Sequence, residues 1–120
     1  MYFLGLTALF FLATSGVRAG GGFSASCRNF YMETKTKLVA SCGDGRGGSR
    51  DTSIDLNRCI ANYGGNLACA TNGGYGGSCS DCLIRTGTYM RCHCGPNNGT
   101  PTIDLNDCVA NYGGNLACAK

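Results

Sequence analysis

The stretch IDLNRCIANYGGNLACA at residues 54–70 occurs again as IDLNDCVANYGGNLACA at residues 103–119, with fifteen of the seventeen positions identical. The repeat extends upstream, because FSASC at residues 23–27 and YGGSC at residues 75–79 each run from an aromatic residue to Ser-Cys. In each half another cysteine follows fifteen residues later, at Cys42 and Cys94. The chain is therefore a tandem repeat, roughly residues 23–70 and 75–119, within one small domain at residues 20–120.

Residues 1–19 have the pattern of a secretory signal peptide. YFLGLTALFFLA is an apolar run of h-region length, too short to span a bilayer, and small residues precede a cleavage point after Ala19. Ten cysteines behind such a leader predict disulfides and a secreted, extracellular protein. Cleavage would remove Arg18 and leave nine Lys and Arg residues against seven Asp and Glu residues. Because these charges are scattered along the chain, they argue against a nucleic acid and against a membrane as partner.

The local patterns indicate strands and predict an all-β fold. KLVASC is β-rich, and CLIRTGTYMRC is typical of a hairpin that turns around Gly87. In both copies ANYGGNLA places Gly-Gly between two short runs, the signal for a two-residue primed turn whose central residues need positive φ. Asp55 and Asp104, in the two IDLN segments, are interpreted as caps of short helical turns and not as catalytic carboxylates.

The ten cysteines can be paired by strand register. Directly opposed residues of antiparallel strands can lie within disulfide reach. Across strand hairpins we predict the pairs Cys27–Cys42, Cys79–Cys94 and Cys82–Cys92. Across the two Gly-Gly turns we predict Cys59–Cys69 and Cys108–Cys118. The partners among Cys79, Cys82, Cys92 and Cys94 stay open, because these four residues are close enough to exchange.

In order, spacing and duplication, these motifs resemble the cyanovirin-N family of lectins over essentially the whole mature chain. FSASCRN, the Cys27 to Cys42 spacing, SIDLN and NYGGNL carry the resemblance. It implies an all-β, two-lobed, pseudo-symmetric fold with triple-stranded sheets, hairpins and short helical turns, in which strands exchange between the repeats. The implied activity is metal-independent binding of mannose-rich or related oligosaccharides or glycoproteins, without cofactor or catalysis, by a monomer or a domain-swapped dimer.

The resemblance also implies up to two carbohydrate sites, one at the far end of each lobe. The first would comprise Ser24, Ala25, Ser26, Gly43, Asp44, Gly45, Arg46, Asn111 and Gly113. The second would comprise Ala61, Asn62, the stretch from Asn72 to Ser78, and the loop from Gly95 through Asn97 to Asn98. Amide, hydroxyl, carboxylate and bare backbone groups of these types pair with sugar hydroxyls. Because several loop positions are Gly here, a secreted effector or protein-interaction module on the same fold, without sugar binding, is the alternative.

Other patterns point to different chemistry. The cysteines of CSDCLIRTGTYMRCHC have a spacing that faintly suggests zinc, but an even cysteine count in a secreted chain favours disulfides. The single histidine, His93, has no nucleophile motif beside it, so we predict no enzyme. GDGRGG lacks the ending of a phosphate loop and predicts a flexible loop. Tyr63 and Tyr112, matched by the repeat, are predicted to pack, and Asn98 begins a glycosylation sequon.

Overall fold

The structure is a computed structural model and describes residues 21–119. The predicted signal peptide lies outside the described residues. Ten strands in antiparallel pairs make two three-stranded sheets and two hairpins, which confirms the all-β prediction. The strands are β1 (Cys27–Met32), β2 (Lys37–Gly43), β3 (Ser49–Asp55), β4 (Ile60–Tyr63), β5 (Asn66–Cys69), β6 (Cys79–Thr86), β7 (Tyr89–Cys94), β8 (Thr102–Asp104), β9 (Val109–Tyr112) and β10 (Asn115–Cys118). Four 3-10 turns accompany them, at Phe23–Ala25, Leu56–Arg58, Tyr75–Gly77 and Leu105–Asp107.

Each lobe combines the sheet of one repeat with the hairpin of the other. The sheet β1–β2–β3 packs against hairpin β9–β10, and the sheet β6–β7–β8 contacts hairpin β4–β5. Two hydrogen bonds fasten the first lobe: Leu116 N–H donates to Thr52 Oγ1 at 3.2 Å, and Arg50 Nη1 donates to Asn115 Oδ1 at 3.2 Å. The strand exchange implied by the resemblance is therefore present.

The repeated turn and cap motifs form as predicted. In both Gly-Gly turns the two glycines have positive φ, 64° and 102° at Gly64 and Gly65, as a primed two-residue turn requires. The Asp55 carboxylate accepts a hydrogen bond from Asn57 N–H at 3.0 Å, and the matching cap in the second repeat has the same length. Each IDLN segment thus ends a strand and caps a 3-10 turn.

Three of the predicted disulfides are confirmed and two are wrong. The structure contains Cys27–Cys42, Cys79–Cys94 and Cys82–Cys92 as predicted. The remaining four cysteines do not close their own hairpins. They pair between the repeats, as Cys59–Cys118 and Cys69–Cys108. Both of these bonds span Cα atoms 5.2 Å apart and join the bases of the two hairpins.

The hairpin register explains why the pairs within each hairpin do not form. In β4–β5 the residue opposite Cys69 is Ile60, not Cys59. Because successive side chains point to opposite faces of a strand, an offset of one residue places Cys59 and Cys69 on opposite faces of their hairpin. The second hairpin has the same offset, with Cys118 opposite Val109. Each cysteine therefore finds its partner on the neighbouring hairpin.

The core uses matched residues differently in the two lobes. In the first lobe the rings of Phe23 and Phe30 meet edge to face, with centroids 5.1 Å apart. An offset of 52 residues maps Phe23 onto Tyr75 and Phe30 onto Cys82, so the Cys82–Cys92 disulfide stands where an aromatic side chain packs in the first lobe. The buried Tyr75 hydroxyl donates across to the carbonyl of Lys35 in the other repeat, at 2.6 Å.

The prediction that Tyr63 and Tyr112 pack is wrong. Their side chains are 61% and 50% exposed. Each tyrosine is the last residue of its strand, directly before the Gly-Gly turn. Identity between the repeats therefore reflects equal position in the hairpin and not burial.

Candidate functional site

The first candidate site is assembled around the side-chain amide of Asn111. Its Nδ2 donates to Ser26 Oγ and to the Gly43 carbonyl, both at 2.9 Å. Its Oδ1 accepts from Gly114 N–H at 2.8 Å, which closes the adjoining turn. Gly43 N–H also donates to the Ser26 carbonyl, at 2.8 Å, so one amide from the second repeat binds to two neighbouring chain segments of the first repeat.

The second candidate site repeats this arrangement around Asn62. Its Nδ2 donates to Ser78 Oγ and to the Gly95 carbonyl, both at 2.8 Å, and its Oδ1 accepts from Gly65 N–H at 2.8 Å. Both amide hydrogens of each asparagine are engaged within the protein, and each Oδ1 accepts one hydrogen bond and keeps a second lone pair. The two asparagines therefore position the exposed groups around them and can meet a ligand only as acceptors.

An Asp side chain orders the loop of the first site. The Asp44 Oδ1 accepts from Arg46 N–H at 2.7 Å and from Gly48 N–H at 3.1 Å. These two hydrogen bonds favour the carboxylate and lower the pKa of Asp44 below its ordinary value of 3.8. The loop that the sequence predicts to be flexible is therefore held by two side-chain hydrogen bonds, and it presents the exposed Gly45 and Arg46.

The loop of the second site is built with an amide in place of that carboxylate. Asn97 Oδ1 accepts from Gly99 N–H at 3.1 Å. Its side chain also lies against the Gly-Gly turn of the neighbouring hairpin, since a Cβ added at Gly65 would come within 2.7 Å of the same oxygen. The two sites thus share a frame but differ in charge, because the second loop lacks the carboxylate and the guanidinium of the first.

The predicted residues of the first site lie together, and most of those of the second do. In the first site Ala25, Ser26, Gly45, Arg46 and Gly113 are exposed, and Ser24, Gly43, Asp44 and Asn111 are partly buried. In the second site Ser78, Asn97 and Asn98 are exposed, Asn62 is partly buried, and Ala61 is buried. Asn72 is exposed, but its backbone N–H donates to the Arg58 carbonyl at 2.9 Å, and none of the hydrogen bonds of residues 21–119 joins it to Asn62, Ser78 or Asn97.

Sequence reasoning missed the asparagines that end the IDLN segments. Asn106 Nδ2 donates to Ser24 Oγ at 2.8 Å, and its Oδ1 accepts from Ser24 N–H at 3.0 Å. In the other repeat Asn57 Oδ1 accepts from Gly76 N–H at 2.8 Å. Each asparagine therefore holds the segment that precedes the first cysteine of the opposite repeat. Their identity in both copies was the available signal.

Arg50 is a second residue that sequence reasoning missed. It binds Asn115 and lies flat against the turn of the first site, because a Cβ added at Gly114 would be 2.9 Å from its Cγ and Cδ. Because residue 114 is glycine, the aliphatic part of the Arg50 side chain can pack against the turn. The sequence repeat does not indicate a role for Arg50, because the matching residue in the second half is Gly99, which has no side chain.

The structure also bears on the other chemistries weighed from sequence. The four cysteines of the suggested zinc cluster are all in disulfides, and residues 21–119 contain no group of three or more potential metal ligands. Within the same residues no helix is long and apolar enough to cross a membrane. The five disulfides match the chemistry of an oxidising compartment.

Comparison with known proteins gives one family and one fold. The profile of the CVNH domain matches residues 23–117. The CVNH protein of Gibberella zeae superposes with a TM-score of 0.73 at 24% identity, covering 83% of this chain and 99% of that one. A MoCVNH3 variant in complex with (N-GlcNAc)4 gives 0.73 at 20% identity, covering 82% and 97%. The microvirin complex with mannobiose gives 0.67 at 22% identity, covering 82% and 98%. No curated protein matches the chain significantly.

Proposed function

The chain belongs to the CVNH family of lectins, and from this premise we propose that it is a secreted, metal-independent lectin with a carbohydrate site at the end of each lobe. The observation that carries the proposal is the pair of identical amide junctions at Asn111 and Asn62. Each junction brings exposed hydroxyl, amide and backbone groups from both repeats onto one shallow surface. Such groups pair with the vicinal hydroxyls of a sugar, and a wrong epimer leaves one of them unpaired.

The proposed ligands are mannose-rich or related oligosaccharides, including those built from N-acetylglucosamine. The similar structures named above hold (N-GlcNAc)4 in one case and mannobiose in the other. We assign the stronger site to the first lobe, because its loop offers the Asp44 carboxylate and the Arg46 guanidinium. Charged partners form stronger hydrogen bonds with hydroxyls than the amides of Asn97 and Asn98 do. Two weak sites on one rigid body would gain avidity for a branched glycan.

The test is an NMR titration of the oxidised protein with mannobiose and, separately, with chitotetraose. We expect backbone shifts at residues 24–26, 43–46 and 111–113, and weaker ones at residues 95–98. The variant Asp44→Ala/Arg46→Ala removes two charged hydrogen-bonding groups and should weaken binding at the first site by about tenfold or more. The matched variant Asn97→Ala/Asn98→Ala should affect only the second site. Binding should persist in EDTA.

A protein-interaction module on the same fold predicts a different result. Its titrations would show no shifts with either sugar, and a glycan array would stay empty although the protein was folded and oxidised. That combination would reject the lectin proposal. Shifts located away from both amide junctions would reject the site assignment and leave sugar binding in place.

A further inference from the structure

The exposed face of the sheet β6–β7–β8 carries two arginines on neighbouring strands. Arg85 on β6 and Arg91 on β7 are both exposed, and both border the same two shallow grooves, of about 340 and 360 Å³. Leu83 lies directly opposite Arg91 in the ladder, and Tyr89 follows on the same face, two residues before Arg91. We refer to this surface, which is centred on Arg85 and Arg91, as the arginine face.

Neither arginine is neutralised by a carboxylate within the part of the chain that the structure describes. The one ion pair among residues 21–119 joins Lys37 Nζ to Glu33 Oε1, at 3.1 Å, in the other lobe. Asp81 is the one acidic residue that lines either groove, and it forms no ion pair with the arginines. The two guanidinium groups therefore keep their charge-assisted hydrogen-bonding capacity for a ligand.

The matching face of the first lobe has the opposite character. The offset of 52 residues maps Arg85 onto Glu33 and Arg91 onto Val39. An offset of 49 residues maps Thr100, which precedes β8, onto Asp51 in β3. Glu33, Val39 and Asp51 line the groove of the first sheet together with Lys37, which pairs with Glu33. The same backbone frame therefore carries a paired cation and an additional carboxylate in one lobe, and unpaired cations in the other. The fold does not require positive charge at these positions, because the first lobe forms the same kind of sheet with Glu33 and Val39 in place of the two arginines.

We propose that the arginine face binds an anionic oligosaccharide, one that carries sulfate, phosphate or carboxylate groups. A guanidinium matches the planar or tetrahedral oxygens of such groups with two parallel hydrogen bonds. Leu83 and Tyr89 are 45% and 48% exposed and supply apolar surface for a pyranose ring between the charges. Thr86 and Thr102 line the groove with hydroxyls that can meet uncharged positions of the sugar.

An oligosaccharide fits this surface better than a nucleic acid does. Nucleic-acid sites follow the backbone with a stripe of several Lys and Arg side chains. The two grooves together contain two cations of this kind, flanked by an aromatic and an aliphatic side chain. None of the residues that line the two grooves belongs to either candidate site for neutral sugars.

The experiment measures binding of three anionic oligosaccharides by calorimetry at low salt: a heparin tetrasaccharide, a phosphorylated mannose oligosaccharide and an oligogalacturonate. Whichever binds most tightly identifies sulfate, phosphate or carboxylate as the recognised group. In the variant Arg85→Gln/Arg91→Gln we expect about tenfold weaker binding or complete loss, as removal of two charge-assisted contacts predicts. The control Arg28→Gln/Lys37→Gln removes the same net charge from the first lobe and should bind like the unmodified protein. Chitotetraose binding should be the same in all three proteins.

The proposal would be overturned if no anionic oligosaccharide binds, or if binding survives in Arg85→Gln/Arg91→Gln. It would also be overturned if the control variant loses as much affinity, because net charge alone would then explain the binding. Tighter binding of a single-stranded oligonucleotide through the same arginines than of any oligosaccharide would overturn it as well. If the protein binds an anionic oligosaccharide but not chitotetraose, this proposal is supported and the proposed sites for neutral sugars are rejected. The opposite result would leave the neutral-sugar sites in place and reject this proposal.

Discussion

The disulfides that join the repeats should contribute more stability than those within a sheet. Cys59–Cys118 closes a separation of 59 residues, and Cys82–Cys92 closes one of 10. In the loop-entropy relation, taken for each bond alone, these closures are worth about 4.2 and about 2.7 kcal/mol, a difference of roughly 1.5 kcal/mol. We therefore expect Cys59→Ala/Cys118→Ala to lower the free energy of unfolding by more than Cys82→Ala/Cys92→Ala does. Urea unfolding without reductant measures both variants.

The same prediction can be checked on the covalent structure itself. Tyr63 and Tyr112 are exposed at the hairpin turns, so chymotrypsin can separate Cys59 from Cys69 and Cys108 from Cys118. Mass spectrometry of the non-reduced digest should find the Cys59 fragment joined to the Cys118 fragment. A Cys59–Cys69 linkage would refute the connectivity. Equal or reversed stability losses in the two variants would refute the loop-entropy argument, with the connectivity intact.

Further predictions concern packing, pH and assembly. Gly73→Ala should destabilise the protein by about 1 to 3 kcal/mol, because the added Cβ would lie 2.4 Å from the Ile60 backbone. The control Gly77→Ala should be nearly neutral, because no atom lies within 4 Å of its added Cβ. Thermal unfolding compares the two variants. Tyr75→Phe should cost about 1 to 2 kcal/mol in urea unfolding, because the Lys35 carbonyl loses its buried donor, and exposed Tyr89→Phe should have no measurable effect. The pKa of Asp44 is lowered in the folded protein, so the contribution of its carboxylate to stability is complete above the ordinary value of 3.8 and is lost as the pH falls through the folded value. The NMR shift of the Gly48 amide should report this loss, and in Asp44→Asn it should not change with pH. A dimer formed by exchange of whole repeats should run as a covalent dimer on non-reducing gels, because Cys59–Cys118 and Cys69–Cys108 would both join two chains. A repeat-exchanged dimer that separates into monomers without reductant would contradict this connectivity.

Local signals predicted most of the architecture. Gly-Gly between two short runs predicted the primed turns, and Asp55 and Asp104 predicted the caps, because each depends on a few neighbouring residues. The Cys27–Cys42 and Cys82–Cys92 pairs followed from strand register within one sheet. The family resemblance supplied the strand exchange, which no local pattern contains.

Features that depend on contacts between the repeats were predicted less well. A two-residue turn sets Tyr63 opposite Asn66, and this register already places Cys59 and Cys69 on opposite faces. Applying the turn prediction to the cysteines would have excluded that pair, but its true partner, Cys118, becomes evident only once the two hairpins lie side by side. The role of Asn106 is hidden in the same way, because its partner Ser24 lies 82 residues away.

The exchange of hairpins makes each binding surface a shared product of both halves of the chain. Asn111 belongs to the second repeat but completes the site of the first, and Asn62 does the reverse. A single repeat produced alone would therefore carry two incomplete half-sites and no whole one. Two such fragments could regain a complete lobe only by pairing with each other. In this fold the duplication does not double an existing site; it is the condition for having one.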